Sequence, residues 1–428
     1  MSNLRVLVVG ASIAGPTAAY WFAKAGAKVT VIERFPNLRT NGQNIDIRTV
    51  GVTVMRRMTG MEDAVRSKLV PIEGLRLVNS KGHPYGTLKA TGDPDQQSLL
   101  SEYEIFRGEL AKILYDMTKD DKNIQYVFGE QIKAIHQDPN ISGPVTVDFT
   151  NGFPSAHFDL VVACDGATSR TRALGFGCGV RDHFLPVNAW AAYFTIEKDL
   201  LDGSRMGHGY SAVGGRFVAL GSDANGGSRV VLMGIYPRFP SSNTSDDMPS
   251  FREAAASGDD AIKRFLASRF SSAGWKCDDI VKGLASASDF YASEIVQVKP
   301  PALFNGRVVL VGDAGYAPGP TGMGTSLALA GAYVLAGEIA NHPGDLDEGL
   351  AAYSDRMRPL VERAQEIPRG VPAVMAPYTA WGLWLRNAVF AVVTRTGFAG
   401  FMQMFGAWAF EKNENDNGLP EYDFGKHE

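Results

Sequence analysis

The chain has 428 residues, 45% of them apolar and 21% charged, with a net charge of -4 and three cysteines. That is the make-up of a soluble globular protein of two to three domains. Its mild acidity and the lack of any Lys/Arg run argue against nucleic acid as a partner. Cys164, Cys178 and Cys277 are odd in number and far apart, so they suggest neither a disulfide framework nor a zinc site and fit a reducing, cytoplasmic setting.

Taken in chain order, Leu4 to Val9 is a short valine-rich run, as expected of a strand buried on both faces. Ala14 to Lys24 has the pattern of a helix, and Lys28 to Ile32 that of a second strand, with Glu33 at its end. The uncharged stretch Val6 to Ala23 could pass for a signal peptide or membrane span, but Gly10, Gly15 and Pro16 break it, so a buried strand feeding a helix is the better reading. Between strand and helix stands Gly10-Ala11-Ser12-Ile13-Ala14-Gly15, a G-x-G-x-x-G pattern with serine in the middle. Gly10 allows the tight turn, Gly15 lets the helix approach the strand, and Ser12 is small enough to leave room for a pyrophosphate at the helix N-terminus. Glu33 lies about 20 residues on, where an acid binds ribose hydroxyls. An acid there disfavours a 2′-phosphate, which leaves NAD or FAD as the dinucleotide.

Two further motifs follow. Asp159 to Ala163 predicts a buried strand that leads into Asp165-Gly166-Ala167-Thr168-Ser169-Arg170-Thr171-Arg172, an Asp-Gly turn followed by a helix-capping serine and basic residues. Gly306 to Val311 predicts a third buried strand, followed by a Gly/Pro-rich loop from Gly312 to Gly324 and a helix over Thr325 to Ala340 whose N-terminus offers free N–H groups. Between these motifs, Asn188–Ile196, Arg216–Leu220 and Arg229–Ile235 alternate with Gly/Ser/Asn turns and suggest an antiparallel sheet. Near the C-terminus, Met375 to Phe410 is strongly apolar, but Arg386 and Arg395 leave no clean membrane span. Packing over a pocket mouth is expected of it, with a membrane-surface or oligomer contact as the alternative. Residues 411–428 are polar and are expected to form an exposed tail. The seven histidines form no metal-binding cluster, so no metal is expected.

With these three motifs in this order, the chain resembles the FAD-dependent aromatic hydroxylases, single-component flavoprotein monooxygenases with a para-hydroxybenzoate-hydroxylase-like fold. It is most similar to the branch holding tetracycline-modifying enzymes and natural-product hydroxylases. The motifs run from residue 4 to about 340, nearly four-fifths of the chain. The resemblance implies an α/β architecture: a Rossmann-like FAD-binding domain (1–75, 100–178 and 288–340), a substrate domain with an antiparallel sheet (76–99 and 180–287) and a C-terminal helical segment with its tail (341–428). It implies that Gly10, Ser12 and Gly15 hold the pyrophosphate and that Glu33 binds the adenosine ribose, with Arg34 beside the adenine end. Asp46 would sit near the flavin, and Arg107 would reach the ribitol or phosphate region. Asp165 and Arg172 would serve FAD and NAD(P)H handling together. Asp313 would bind the ribitol, and Pro320, Gly322, Met323 and Gly324 would pass under the isoalloxazine.

The activity implied is an NADPH- or NADH-consuming monooxygenation, in which one oxygen atom passes from a flavin C4a-hydroperoxide to an aromatic or polycyclic small molecule. No second strand-glycine-helix unit is present, so NAD(P)H would dock transiently. Tyr316 and Met323 stand where many members have other residues, so substrate contacts do not carry over. Trp190, Tyr193, His208, Tyr210 and Tyr316 are the candidate pocket residues. Baeyer–Villiger oxygenation or epoxidation would use the same scaffold. A halogenase would need a Trp-x-Trp-x-Ile-Pro segment, which the chain lacks. A flavin-binding protein without turnover is a further alternative. The protein is expected to be a monomer or homodimer.

Overall fold

The computed structural model describes residues 4–39, 42, 44–69, 73–89, 103–137, 143–223, 226–237, 247–367, 374–396 and 418–424. Two sheets organise it. The first has six strands in the order Phe304–Asn305, Val308–Leu310, Leu160–Ala163, Arg5–Val9, Lys28–Glu33 and Ile124–Phe128. All neighbours are parallel except the short edge pair at Phe304–Asn305. The central strands are apolar on both faces because helices cover one side and a three-stranded antiparallel sheet, Ile132–His136, Val145–Phe149 and Ala156–Phe158, contributes to a core on the other. Helices Ala14–Lys24 and Gly324–Asn341 pack on the first side, and the latter is buried along almost its whole length.

The second sheet has seven strands in the order Tyr291–Val298, Phe184–Ile196, Ser228–Ile235, Arg216–Ser222, Met206–Ala212, Gly74–Val78 and Pro84–Lys89. Strand side chains alternate between faces. Trp190, Phe194, Val218, Leu220, Val230 and Leu232 therefore form a core with the helices Met248–Ala256, Asp259–Phe270 and Cys277–Ser286. Val187, Ala189, Phe217, Met233, Ile235 and Ile295 form a smaller apolar cluster together with Ala376. Tyr291–Val298, in a stretch expected to belong with the first sheet, instead pairs with Phe184–Ile196 at the edge of the second. Pattern alone gives a strand its period but not its sheet.

A two-stranded ribbon, Asn44–Asp46 with Glu104–Phe106, lies between the two sheets. At Phe106 it meets the second sheet, where the Arg229 guanidinium lies 3.5 Å from the ring centroid. Helix Ala380–Arg395 packs on Pro84–Lys89, with Thr394 and Phe390 against Gly86. Its outer stripe leaves Trp381, Trp384, Val389 and Val392 exposed. No helix of the described residues is long and apolar enough to cross a membrane. Most of the apolar run after Arg395 lies outside the described residues.

The end of the chain departs from the exposed tail expected of it. Residues 418–424 dock on helices Ala14–Lys24 and Gly324–Asn341, whereas 411–417 and 425–428 lie outside the described residues. Phe424 is 7% exposed and packs on Trp21 at 4.8 Å and on Tyr333 at 5.8 Å. The Pro420 carbonyl accepts hydrogen bonds from Arg57 (2.8 Å) and Tyr333 (2.9 Å), and the Tyr422 hydroxyl donates to Glu338 (2.6 Å). The Tyr422 ring occupies a notch over Gly337 that a Cβ would fill. A few aromatics decide the matter here, although the average composition of the segment is polar. Phe424→Ala is expected to cost about 3 kcal/mol of stability, as for other buried Phe deletions, and to lower the denaturant midpoint without shifting its slope.

Candidate active site

The carboxyl ends of Arg5–Val9, Lys28–Glu33 and Leu160–Ala163 open onto one cleft, lined by Gly10, Ser12, Glu33, Arg34, Arg107 and Asp165 among others. Ligands of open parallel sheets bind at this end. Three backbones meet tightly there. Gly10 has φ +105° and its N–H donates to the Ile32 carbonyl at 2.8 Å, and a Cβ on it would stand 2.7 Å from the Cys164 carbonyl oxygen. A Cβ on Gly15 would stand 1.8 Å from the Gly10 carbonyl oxygen, so only glycine lets the helix begin where it does. No side chain caps the N-terminus of Ala14–Lys24, so its first N–H groups remain for an anion.

Glu33 is held by its neighbours at the cleft edge. One carboxylate oxygen accepts from the Ala11 N–H (2.9 Å) and the other from the Phe35 N–H (3.1 Å). A carboxylate can take about four hydrogen bonds, so each oxygen can still accept one from a ribose. Across the cleft, Arg39 lies between two rings, its guanidinium 4.9 Å from the Phe35 centroid and 5.6 Å from that of Tyr291. Arg34 also sits over Phe35, at 4.8 Å. Desolvation and the neighbouring Arg107 hold the Arg39 pKa below its ordinary value. Neither Arg39 nor Arg107 has an ion-pair partner among the described residues. Two uncompensated cations facing one cleft suit a diphosphate.

Asp313 is deep in the fold, yet its side chain is exposed. It is crowded by surrounding atoms yet keeps accessible surface, and it is not among the residues that line the cleft above. Desolvation pushes its carboxyl up, with Arg107 pulling the other way, and no group among the described residues donates to it. Gly312 before it has φ +68°, and a Cβ there would come within 3.2 Å of Ala14, so the loop lies against the first helix. Asp313 Oδ1 lies 3.6 Å from where Gly324 would carry a Cβ, at the start of the long helix. Pro320 and Gly322 are exposed in the loop between them, and Asp46 Oδ2 lies 3.7 Å from the Cβ position of Gly322. Met323 is half-buried against the main core.

Several residues singled out from sequence take other roles. Arg172 is fully buried and does not line the cleft. It donates to the carbonyls of Ala314 (2.6 Å), Ala167 (2.8 Å) and Val180 (2.6 Å), and so ties the Asp-Gly turn to the Asp313 loop. Asp165 lines the cleft, but its carboxylate is occupied by Ser169 and by the N–H and hydroxyl of Thr171. Tyr316 is 1% exposed, wedged against Gly331 with its hydroxyl 3.2 Å from that of Tyr353, which makes it a core residue and removes it from the pocket. Trp190 stacks on Phe251, Tyr210 donates to the Ala273 carbonyl at 2.6 Å, and His208 lies beside Trp275. All three are on the helix-covered face of the second sheet, and burial lowers the His208 pKa. Only Tyr193 looks the other way, stacked with Tyr291 at 6.5 Å, and burial pushes its hydroxyl up to about 12. Phe35, Arg39 and Tyr291 carry no signal in the sequence, since an isolated loop arginine and two aromatics far apart in the chain form no motif.

Glu104 carries no sequence signal either. Glu104 pairs with Asp46 across the ribbon and accepts from Asn44 Nδ2 at 2.7 Å, while Arg48 donates to Asp46 at 3.0 Å. Burial, and then the Asp46 charge, raise the Glu104 carboxyl to about 7. A carboxyl raised on folding stabilises the fold most below its unfolded value near 4.5 and loses that contribution as pH rises through 7. Glu104→Gln should therefore gain stability relative to wild type between pH 5 and 8, by about 2 kcal/mol, as read from urea midpoints at both values.

A parallel sheet with a glycine-tight turn, an anchored acid and two arginines without ion-pair partners among the described residues has the build of a dinucleotide-binding fold. The comparisons place it further. Residues 3–246 match the family model described as FAD binding domain. The chain is 32% identical to the FAD-dependent monooxygenase asL4 of Sarocladium schorii, over 99% of each chain. It is 33% identical to the monooxygenase CTB7 of Cercospora beticola, again over 99% of each. Among solved structures it is similar to the tetracycline destructase Tet(51), with a TM-score of 0.74 and 26% identity over 99% of this chain and 100% of that one. The chain belongs to this FAD-binding family and is an FAD-dependent monooxygenase that uses NAD(P)H as its electron donor.

Proposed function

We propose that the enzyme hydroxylates an aromatic or polycyclic small molecule held between the Pro318–Gly324 loop and the apolar face of the second sheet. One observation carries this reading. The cluster of Val187, Ala189, Phe217, Met233, Ile295 and Ala376 stands beside that loop, with Val187 3.8 Å and Gln297 3.1 Å from the Cβ position of Gly319. Gln297 Nε2 donates to the Pro318 carbonyl at 3.1 Å and fixes the two walls together.

When bound, FAD supplies reductive activation of O₂, with electrons from NAD(P)H. The chain's own residues hold and shield the site. The helix N-terminus after Gly10, with Ser12, takes the diphosphate, assisted by Arg39 and Arg107. Glu33 takes the adenosine ribose and Arg34 flanks the adenine. Asp313 would hold the ribitol, and the loop from Pro320 to Gly324, with Asp46 beside it, would hold the flavin ring. The apolar sheet face keeps out water, which would divert oxygen to hydrogen peroxide.

The test is product analysis under ¹⁸O₂ with a panel of polycyclic phenols, expecting one labelled oxygen bonded to a ring carbon. A labelled lactone or epoxide would overturn hydroxylation in favour of Baeyer–Villiger chemistry or epoxidation. A cytoplasmic monomer or homodimer is proposed as its setting, supported by three free cysteines.

A further inference from the structure

The ribbon between the two sheets carries a polar group that the binding scheme above does not use. Asp46 and Glu104 are cross-strand partners, so their side chains share one face of the ribbon. Asn44, two residues before Asp46, lies on that face too and donates from Nδ2 to Glu104 Oε1 at 2.7 Å. Its own Oδ1 is buried with no partner among the described residues. Arg48 engages Asp46 at 3.0 Å, and its N–H donates to Ser326 Oγ of the long helix at 2.8 Å. Asp46 Oδ2 faces the Cβ position of Gly322 at 3.7 Å. The group therefore reaches from the ribbon to the loop beneath the proposed flavin.

We propose that Glu104 stores on Oε2 the proton that each turnover consumes, and passes it into the reaction cavity through Asp46. This inference rests on the monooxygenase reading and deepens it. The overall reaction converts R–H, O₂, NAD(P)H and H⁺ into R–OH, NAD(P)⁺ and H₂O. The C–H bond gives way to C–O, two electrons from NAD(P)H reduce the second oxygen atom to water, and one proton is taken up. That proton leaves Glu104 Oε2, passes by way of the neighbouring Asp46 carboxylate into the water formed, and is replaced from solvent.

The charges around Glu104 fit this role. Asp46 already carries a charge that Arg48 engages, so a charge on Glu104 would set a second negative group beside it. Because Asn44 donates to Oε1, the proton belongs on Oε2. The loop and the first turn of the helix that face the group, Pro318 to Ser326, contain no ionisable residue. From the second sheet, Arg229 lies on Phe106 and is paired with Asp223 at 2.9 Å. Arg107, next to Phe106 in the chain, acts on Asp313 and Tyr193. The Glu104 carboxyl is raised to about 7, where a store can both hold and release a proton.

Glu104 acts through Asp46 and is a positioning residue, so its test needs a signal of its own. The FAD-loaded protein is followed by infrared spectroscopy across pH 5 to 9. The expected result is a protonated-carboxyl band that shifts on ¹³C-glutamate labelling and fades as pH passes about 7. It is absent from Glu104→Gln. In the same variant, the peroxide released per NAD(P)H should rise severalfold and lose its pH dependence, FAD affinity should stay at the wild-type value, and Glu104→Asp should restore coupling in part. A holoenzyme that oxygenates substrate but lacks the labelled band overturns the proton store alone. So does a Glu104→Gln variant with the wild-type pH profile of coupling. If Glu104→Gln does not fold, the labelled wild-type band decides by itself. A protein that takes up no FAD and consumes no O₂ overturns the functional reading underneath.

Discussion

Gly15→Leu protein should purify colourless. The Cβ of any residue at this position would stand 1.8 Å from the Gly10 carbonyl oxygen and 3.3 Å from Val8 Cγ1, distances that backbone cannot absorb without moving. The helix would have to withdraw from the turn and carry away the N–H groups meant for the diphosphate. Those groups and their dipole make the anion site, so cofactor binding should fall below detection in the ratio of flavin to protein absorbance. Gly10→Ala tests the same turn from its other side, since φ +105° and a Cβ 2.7 Å from the Cys164 carbonyl oxygen both oppose it. Circular dichroism of both variants separates a folded apo-protein from a collapsed one. Full FAD occupancy in folded Gly15→Leu would remove the fingerprint assignment.

Asp313→Ala should weaken FAD binding by tenfold or more. The carboxylate keeps accessible surface and has no donor among the described residues, so its hydrogen-bonding capacity is left for a ligand. Each hydrogen bond to a charged acceptor contributes about 1.5–3 kcal/mol, and about 1.4 kcal/mol is tenfold in affinity. Without a ligand, Asp313 is a desolvated carboxyl that burial has pushed up, so its removal should leave the apo-protein no less stable. That combination, weaker cofactor binding with undiminished stability, is what fluorescence titration and denaturation of the apo-protein would read. Equal affinities with a loss of stability would make Asp313 a turn residue only.

Much of the cofactor half was legible because its signals are local. A strand buried on both faces, a glycine turn, a helix and a terminal acid lie within about 30 residues, and each is required by backbone geometry. The substrate half was less legible for a reason of symmetry. Alternation along Phe184–Ile196 separates Trp190 from Tyr193 without saying which face the helices cover, and those helices come much later in the chain. Trp190, His208 and Tyr210 therefore stand as pocket candidates in the sequence, with packing as the alternative, and packing on the covered face is where they lie. Arg172 misled differently. Its place in a motif was right, but full burial turns a ligand-binding cation into a clamp on three carbonyls. Glu104 was invisible because its altered acidity comes first from burial that no short window contains, and then from Asp46, nearly sixty positions away in the chain.

The docked end of the chain links two equilibria. Phe424 packs on Trp21, and Trp21 belongs to the helix whose uncapped first turn would offer its amides to a diphosphate. Anything that binds the docked form alone draws the terminus down with it, and by reciprocity whatever frees the terminus loosens the ligand by the same free energy. Carboxypeptidase should therefore trim the FAD-loaded protein more slowly than the apo-protein. A C-terminal purification tag that lifts Phe424 from Trp21 would yield a paler preparation, with every residue of the cofactor cleft intact.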